Sequence, residues 1–165
     1  MPGYECQYNH DSAILYKENK VGKMNINLME KYASSLDFNK DTAFLFTNKN
    51  YLILSVHLKS KKEVNVEQAK EMFAVLNGIK QSHPELKIII GMDANNYLTQ
   101  EKYLDSKGKT FCHMVPQTKE KVTTIKKRSF MQAQFKKAGE EVSEVKDHIA
   151  STHPITSYKI EKVNG

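Results

Sequence analysis

The stretch Ile88-Ile89-Ile90-Gly91-Met92-Asp93-Ala94-Asn95 decides the reading of this chain. Three β-branched residues in succession form a short apolar run of the kind that makes a buried strand. Gly91 is expected to end that strand, and an acid and an amide follow with one residue between them. Side chains alternate across a strand, so Asp93 and Asn95 would point the same way if the backbone stayed extended. A carboxylate and a carboxamide aimed together from a strand end can hold a metal ion, a phosphate or a water nucleophile. The competing reading is a strand closing in a turn, because Asp and Asn are common turn residues. Two further segments bear on the choice: a strand ending in His57, and Lys146-Asp147-His148-Ile149.

Working outward, Lys87 to Ile90 reads as a strand, and the best helix of the chain precedes it. Ala69, Met72, Phe73, Leu76 and Ile79 recur at steps of three and four, which gives one apolar stripe. Asn65 with Gln68 three residues on is a capping-box variant at its start, and His83-Pro84 stops it. Upstream, Ala43 to Thr47 and Tyr51 to His57 are strands joined by the turn residues Asn48-Lys49-Asn50, so a hairpin is expected. Ser12 to Tyr16 is a further strand, followed by a polar hinge from Lys17 to Lys23. Between Asn25 and Lys40, Leu28, Met29, Tyr32, Ala33 and Leu36 could line one helix face. Downstream, Thr99 to Lys121 reads as loop, Val122 to Ile125 as extended, and Phe130 to Ala138 as a short helix ending at Gly139. Lys146 to Ala150 and Ile155 to Ile160 read as the last strands. No internal repeat or low-complexity linker divides residues 1–165, so one domain is expected.

The chain has 165 residues, 39% of them hydrophobic, enough for a core of its own. No apolar run approaches the ~20 residues that span a bilayer. Met1 to Gln7 carries neither a basic leader nor an apolar region, so no secretory signal is expected. Cys6 and Cys112 are too few for a disulfide framework and are read as free thiols in a reducing compartment. An intracellular location, cytoplasmic or nuclear, follows as the expectation. The net charge is +6, and the stretch from Lys119 to Lys137 accounts for all of it, with seven basic residues against Glu120. Lys126, Lys127, Arg128, Lys136 and Lys137 are the candidate nucleic-acid contacts there. Such a patch suits any polyanion, RNA or DNA first and a phosphoinositide headgroup second. A solvated lysine-rich face is the alternative.

His57 at a strand terminus can protonate or donate to a phosphoryl oxygen. Asp93 can orient and deprotonate a water, and Asn95 can donate to a phosphate oxygen without adding charge. Asp147 is a further carboxylate. Hard cations such as Mg²⁺ prefer this oxygen-rich company. A Gly-rich phosphate loop, a Cys/His metal cluster and a Gly-x-Ser-x-Gly elbow are all absent from the sequence.

Ser55-Val56-His57-Leu58-Lys59-Ser60, an amphipathic helix containing Gln68, and then Gly91-Met92-Asp93-Ala94-Asn95 together resemble the endonuclease/exonuclease/phosphatase superfamily. The family's Gly-Asp-x-Asn carries one extra residue here, and its Asp-x-Asn spacing is kept. Pro2-Gly3-Tyr4-Glu5 with Asp11 to Tyr16, and Lys146-Asp147-His148-Ile149, are similar to further family segments. The likeness therefore runs from about Tyr4 to Ile160. It implies an α/β fold, a four-layer α/β/β/α sandwich, with the site at one edge of the packed sheets. It also implies a divalent-metal-dependent phosphodiesterase, of nuclease type, using Mg²⁺ or Mn²⁺. His57, Asp93, Asn95 and Asp147 would be its catalytic residues. Asp93 and Asp147 would be its metal ligands. Phe130 and Phe135 would be candidate stacking partners for nucleic acid, with core packing as the other reading.

The sequence also departs from the family pattern. The strands bearing the family's Asn and its Leu-Gln-Glu glutamate would lie upstream of Pro2, and Glu5 stands in the wrong context to replace that glutamate. The late Asp-His pair has no counterpart, because Lys146-Asp147-His148 matches the earlier Asp strand and Ser151-Thr152-His153-Pro154 lacks a carboxylate. A fold incomplete at both ends is thus expected, with an open sheet edge that invites a homo-oligomer or a complementing chain. A polyanion-binding remnant without catalysis and an inositol-phosphate phosphatase remain as alternatives.

Overall fold

The computed structural model describes residues 3–38, 41–99, 110–111, 113–117, 123–127 and 141–161. Its centre is a mixed five-stranded sheet. β3 (Thr42–Phe46) and β4 (Tyr51–His57) form the expected antiparallel hairpin, turned at Asn50 with φ 65°. α3 (Lys62–Ser82) then crosses over to β5 (Lys87–Asp93), which lies parallel to β4. β9 (Asp147–Ser151) runs antiparallel to β5 on its other side, and β6 (His113–Val115) closes the row.

Alternation divides the sheet into two faces. Leu52, Leu54 and Val56 of β4 and Ile88, Ile90 and Met92 of β5 share one core with Ala69, Met72, Phe73, Leu76 and Ile79 of α3. The apolar stripe of α3 is therefore the face it buries. Ile53, Ser55 and His57 alternate with these along β4, and Gly91 and Asp93 do so along β5, so they look to the opposite side. The hairpin of β1 (Glu5–Asn9) and β2 (Ser12–Tyr16) packs there, its Ile14 and Tyr16 buried against Ala43 and Leu45. Helix, sheet and hairpin thus stack in layers, an α/β arrangement. α2 (Ile26–Tyr32) is capped by the Asn25 side chain, which accepts from Leu28 N–H at 3.2 Å, and it lays Leu28, Met29 and Tyr32 on the main core. The remaining elements are α1 (Glu18–Val21) and the pair β7 (Thr124–Lys127) and β8 (Glu141–Glu144).

Several expectations need correction. β5 does not end at Gly91 but runs through it to Asp93, because it is hydrogen-bonded on both sides there. α3 starts three residues before Asn65, with Lys61 at its N-cap and no side-chain cap. Residues 17–23, read as a hinge, include α1, and β6 lies within the span read as loop. Ile155 to Ile160 forms no strand; β9 already has β5 and β6 on its two edges, which leaves it no free ladder to offer. The helix expected over Phe130 to Ala138 lies outside the described residues. Among the described residues no helix is long and apolar enough to cross a membrane.

Gly22 has φ +99°, and a Cβ placed there would stand 2.9 Å from Lys49 Cγ and 3.0 Å from its backbone nitrogen. Both the left-handed backbone and the close approach of the β3–β4 turn require glycine at this position.

Candidate active site

His57 and Asp93 are the last residues of two adjacent parallel strands and lie directly opposite each other in register. Ligands of α/β sheets gather at the carboxyl ends of such strands. The imidazole Nε2 of His57 is 3.8 Å from Asp93 Oδ2, with the two side chains 40% and 45% exposed, enough for a ligand to reach both. Asp147 on β9 is opposite Asp93 in the next register pair, so His57, Asp93 and Asp147 form one row across β4, β5 and β9 on the same face. The next residue, His148, faces the other way and is buried. Asp147 and His148 are therefore separated by the sheet and do not act as a pair.

Asn95 is placed differently from the expectation. The strand stops at Asp93, and Asn95 adopts φ 49°, so the two side chains do not share an extended backbone. Asn95 N–H donates to Asp93 Oδ1 at 3.0 Å, and its Nδ2 donates to Leu58 O at 2.7 Å. One carboxylate oxygen of Asp93 is thereby held, and the other is left facing His57. One of the two Asn95 amide hydrogens is committed to the Leu58 carbonyl.

Two carboxylates that the sequence reading did not select complete the site. Asp11 in the β1–β2 turn and Asp41 just before β3 converge on His57, and one ligand atom from each of the three lies within 4.8 Å of the other two. Ser12 Oγ donates to Asp41 O at 2.5 Å, and His57 N–H donates to the same carbonyl at 3.2 Å, which ties the turn, the start of β3 and the end of β4 together. A cleft of about 420 Å³ opens here, lined by Asp11, Ser12, Ser55, His57, Gly91 and Asp93 among others. Aspartate is commonplace in turns and connections; Asp41 is marked by the β3–β4 register, which sets it opposite His57, and Asp11 only by the tertiary contact of its turn. Asp93 and Asp147, expected as metal ligands, are not members of this three-residue group; Asp93 is opposite His57, and Asp147 lies one strand further on. Lys126 and Lys127 fall on β7, where only the backbone is described; Arg128, Phe130, Phe135, Lys136 and Lys137 lie outside the described residues.

The buried His148 contributes to structure. Its Nε2 accepts from Leu98 N–H at 3.1 Å, so Nδ1 carries the proton, and that atom has no hydrogen-bond partner among the described residues. Burial pushes the imidazole below its ordinary value of 6.5, and the Asp147 carboxylate and neighbouring backbone groups pull less strongly the other way. The unfolded chain therefore binds this proton more readily than the folded one. The stability contribution is full above about pH 6.5 and is lost as pH falls through the lower folded value. Urea midpoints are expected to drop between pH 7.5 and pH 5. His148→Gln, which retains an acceptor for Leu98, is expected to flatten that dependence.

Neither a protein-family model nor a curated protein sequence matches the chain. Solved structures do. TDP2 from C. elegans superposes on 92% of this chain with a TM-score of 0.51 and 15% sequence identity. The fold is of the endonuclease/exonuclease/phosphatase type. A Bacteroides thetaiotaomicron mannosyl-6-phosphatase matches 92% of the chain at TM-score 0.45 and 15% identity. An endonuclease/exonuclease/phosphatase family protein from the same organism does so at TM-score 0.43 and 15% identity. The chain spans 48% of the C. elegans structure and 63% and 62% of the two bacterial ones. Within the endonuclease/exonuclease/phosphatase fold seen here, the row His57, Asp93 and Asp147 sits on the sheet face that the β1–β2 hairpin partly covers.

Proposed function

We propose that the chain is a divalent-metal-dependent phosphodiesterase that hydrolyses nucleic acid. The observation that carries this reading is the meeting of His57 and Asp93 at 3.8 Å with Asp11 and Asp41 converging on the same histidine. Asp93 orients a water through Oδ2 and takes its proton as the water oxygen bonds to phosphorus. The ester bond on the far side then breaks, and the departing oxygen is protonated from solvent. His57 and the second Nδ2 hydrogen of Asn95 donate to phosphoryl oxygens, where negative charge builds up.

The donor set suits a cation. Asp11, Asp41 and His57 would hold it, and His57 has two ring nitrogens, so one can face the cation while the other donates. A bound divalent ion supplies positive charge to the phosphoryl oxygens. Two carboxylates with one imidazole favour Mn²⁺ over Mg²⁺, because imidazole suits transition metals. Asp147, beside Asp93, adds negative potential that strengthens the same preference for a cation. Calorimetric titration with Mn²⁺ is expected to show binding that Asp11→Asn and Asp41→Asn each weaken by about tenfold or more.

A second hollow of about 280 Å³ adjoins the cleft at Gly91 and Met92 and is lined by Ile149, Tyr158 and Ile160 among others. This room beside the phosphoryl position favours a diester, with a second arm to place, over a small phosphomonoester. The basic residues from Lys119 to Lys137 favour a polyanionic substrate, RNA or DNA, with a phosphoinositide as the other chemistry. Tyr8 and Leu15 are 77% and 57% exposed on the hairpin, which supports a second chain covering that layer. The exposed Cys6 thiol suits an intracellular setting. A panel of single-stranded RNA, single-stranded DNA, duplex DNA and an inositol polyphosphate with Mg²⁺ or Mn²⁺ tests the reading. Cleavage of a nucleic acid supports it. Release of phosphate from the inositol compound alone, or binding without turnover, replaces it with the corresponding alternative.

A further inference from the structure

Asn65 occupies the buried face of α3, 1% exposed, in line with Ala69, Met72 and Phe73. Asparagine is a poor helix former and its carboxamide is costly to bury without partners. Here nearly all of its hydrogen-bonding capacity is used. Nδ2 donates to Lys59 O at 2.9 Å and to Ala94 O at 2.5 Å, and Oδ1 accepts from Asn96 Nδ2 at 3.2 Å.

The two carbonyls mark where this contact acts. Lys59 is two residues beyond His57, and Ala94 is one residue beyond Asp93. Between them, Leu58 N–H donates to Asp93 O at 2.9 Å and Asn95 Nδ2 donates to Leu58 O at 2.7 Å. Gln68, one helical turn after Asn65, accepts from Lys59 N–H at 2.8 Å. The helix therefore grips the chain just past both reacting side chains.

We infer that Asn65 is a positioning residue that sets the spacing of His57 and Asp93 by clamping the ends of β4 and β5 to α3. The inference rests on the reading of His57 and Asp93 as the reacting pair. Nothing in the apolar packing of α3 requires an amide at this position. Two donors reaching two different loops from one side chain do require it. Asp93 is held in turn by Asn95 N–H, so slack at Ala94 passes directly to the carboxylate. A displacement of about 1 Å at such a pair costs on the order of 10²-fold in rate.

The test is Asn65→Asp in the full chain, which keeps the shape and the oxygen but loses both donors. Amide hydrogen exchange at Leu58 and Asn95 is expected to quicken about tenfold, as the loss of a single hydrogen bond implies. Exchange at Leu76 in α3 and Ile90 in β5 is expected to stay as slow as in the parent. Asn96→Ala removes only the contact that orients the carboxamide, and is expected to give the same local pattern more weakly. It decides the matter if Asn65→Asp does not fold. Where cleavage is measurable, kcat falls and KM does not. Uniform quickening along α3, or none at Leu58 and Asn95, overturns the inference. The exchange measurement needs no turnover, so absence of cleavage in the parent chain would overturn the proposed function and leave this test standing.

Discussion

Asp93→Asn is expected to lower metal-dependent phosphodiester cleavage by about 10²–10⁴-fold, the range for removing a general base. The substitution is nearly isosteric. An asparagine oxygen can still accept from Asn95 N–H, the contact that holds the turn after β5 at 3.0 Å. What disappears is the charge on Oδ2, the oxygen that faces His57 at 3.8 Å. An amide cannot take a proton from water, so the loss falls on kcat while substrate binding remains. The urea midpoint is expected to stay close to that of the parent, because the side chain is nearly half exposed. Steady-state cleavage and urea denaturation on the same preparation check both halves. A large fall in midpoint would mean that Asp93 serves the fold first.

Phe73→Ala is expected to destabilise the chain by about 3–5 kcal/mol, the usual cost of emptying a buried aromatic site. Phe73 is 2% exposed on α3 and meets Phe111 edge-to-face, with ring centroids 5.5 Å apart. Leu54, Leu76 and Ile90 share its core, 0–1% exposed, and the sheet behind them is hydrogen-bonded on both sides of β5. Such a site has little freedom to collapse into the space left behind. Against a typical total stability of about 5–15 kcal/mol this is a large fraction. Equilibrium urea unfolding followed by far-UV circular dichroism measures it. A change below about 1 kcal/mol would show that the helix is not seated on the sheet as described.

The elements that the sequence made legible are those whose own side chains carry the packing signal. The stripe on α3 predicts the face it buries, because one side of the helix meets the core, and the apolar runs Ala43 to Thr47 and Tyr51 to His57 predict the hairpin. β1 and β8 escaped because Glu5–Asn9 and Glu141–Glu144 are largely polar and show no apolar alternation. Asn65 has the form of a cap in sequence, an asparagine followed three residues later by glutamine. Its real partners are carbonyls on two loops, one of them 29 residues away in sequence. Gly91 is not a stop. Extended backbone is open to glycine as to any residue, and the ladders to β4 and β9 carry the strand onward.

The candidate site divides along the same line. His57, Asp93 and Asp147 each sit on a strand, and strand register alone brings them into one row. Asp41 reaches His57 through the register of the β3–β4 hairpin, one pair beyond Thr42 and Val56, whereas Asp11 reaches it only because the β1–β2 hairpin folds over β3 and β4, a long-range packing event with no local signature. Asn95 kept the spacing expected for a phosphate ligand, yet the backbone turns at φ 49° and spends one amide hydrogen on Leu58.

The most direct test of the account is a Mn²⁺ titration of the intact chain against a fluorescent single-stranded nucleic acid, with cleavage and binding followed together. Cleavage is expected to rise with Mn²⁺ to saturation and to be lost in Asp93→Asn, while binding of the strand persists. Binding of the strand with no cleavage at any Mn²⁺ concentration, by a chain shown to be folded, would contradict it.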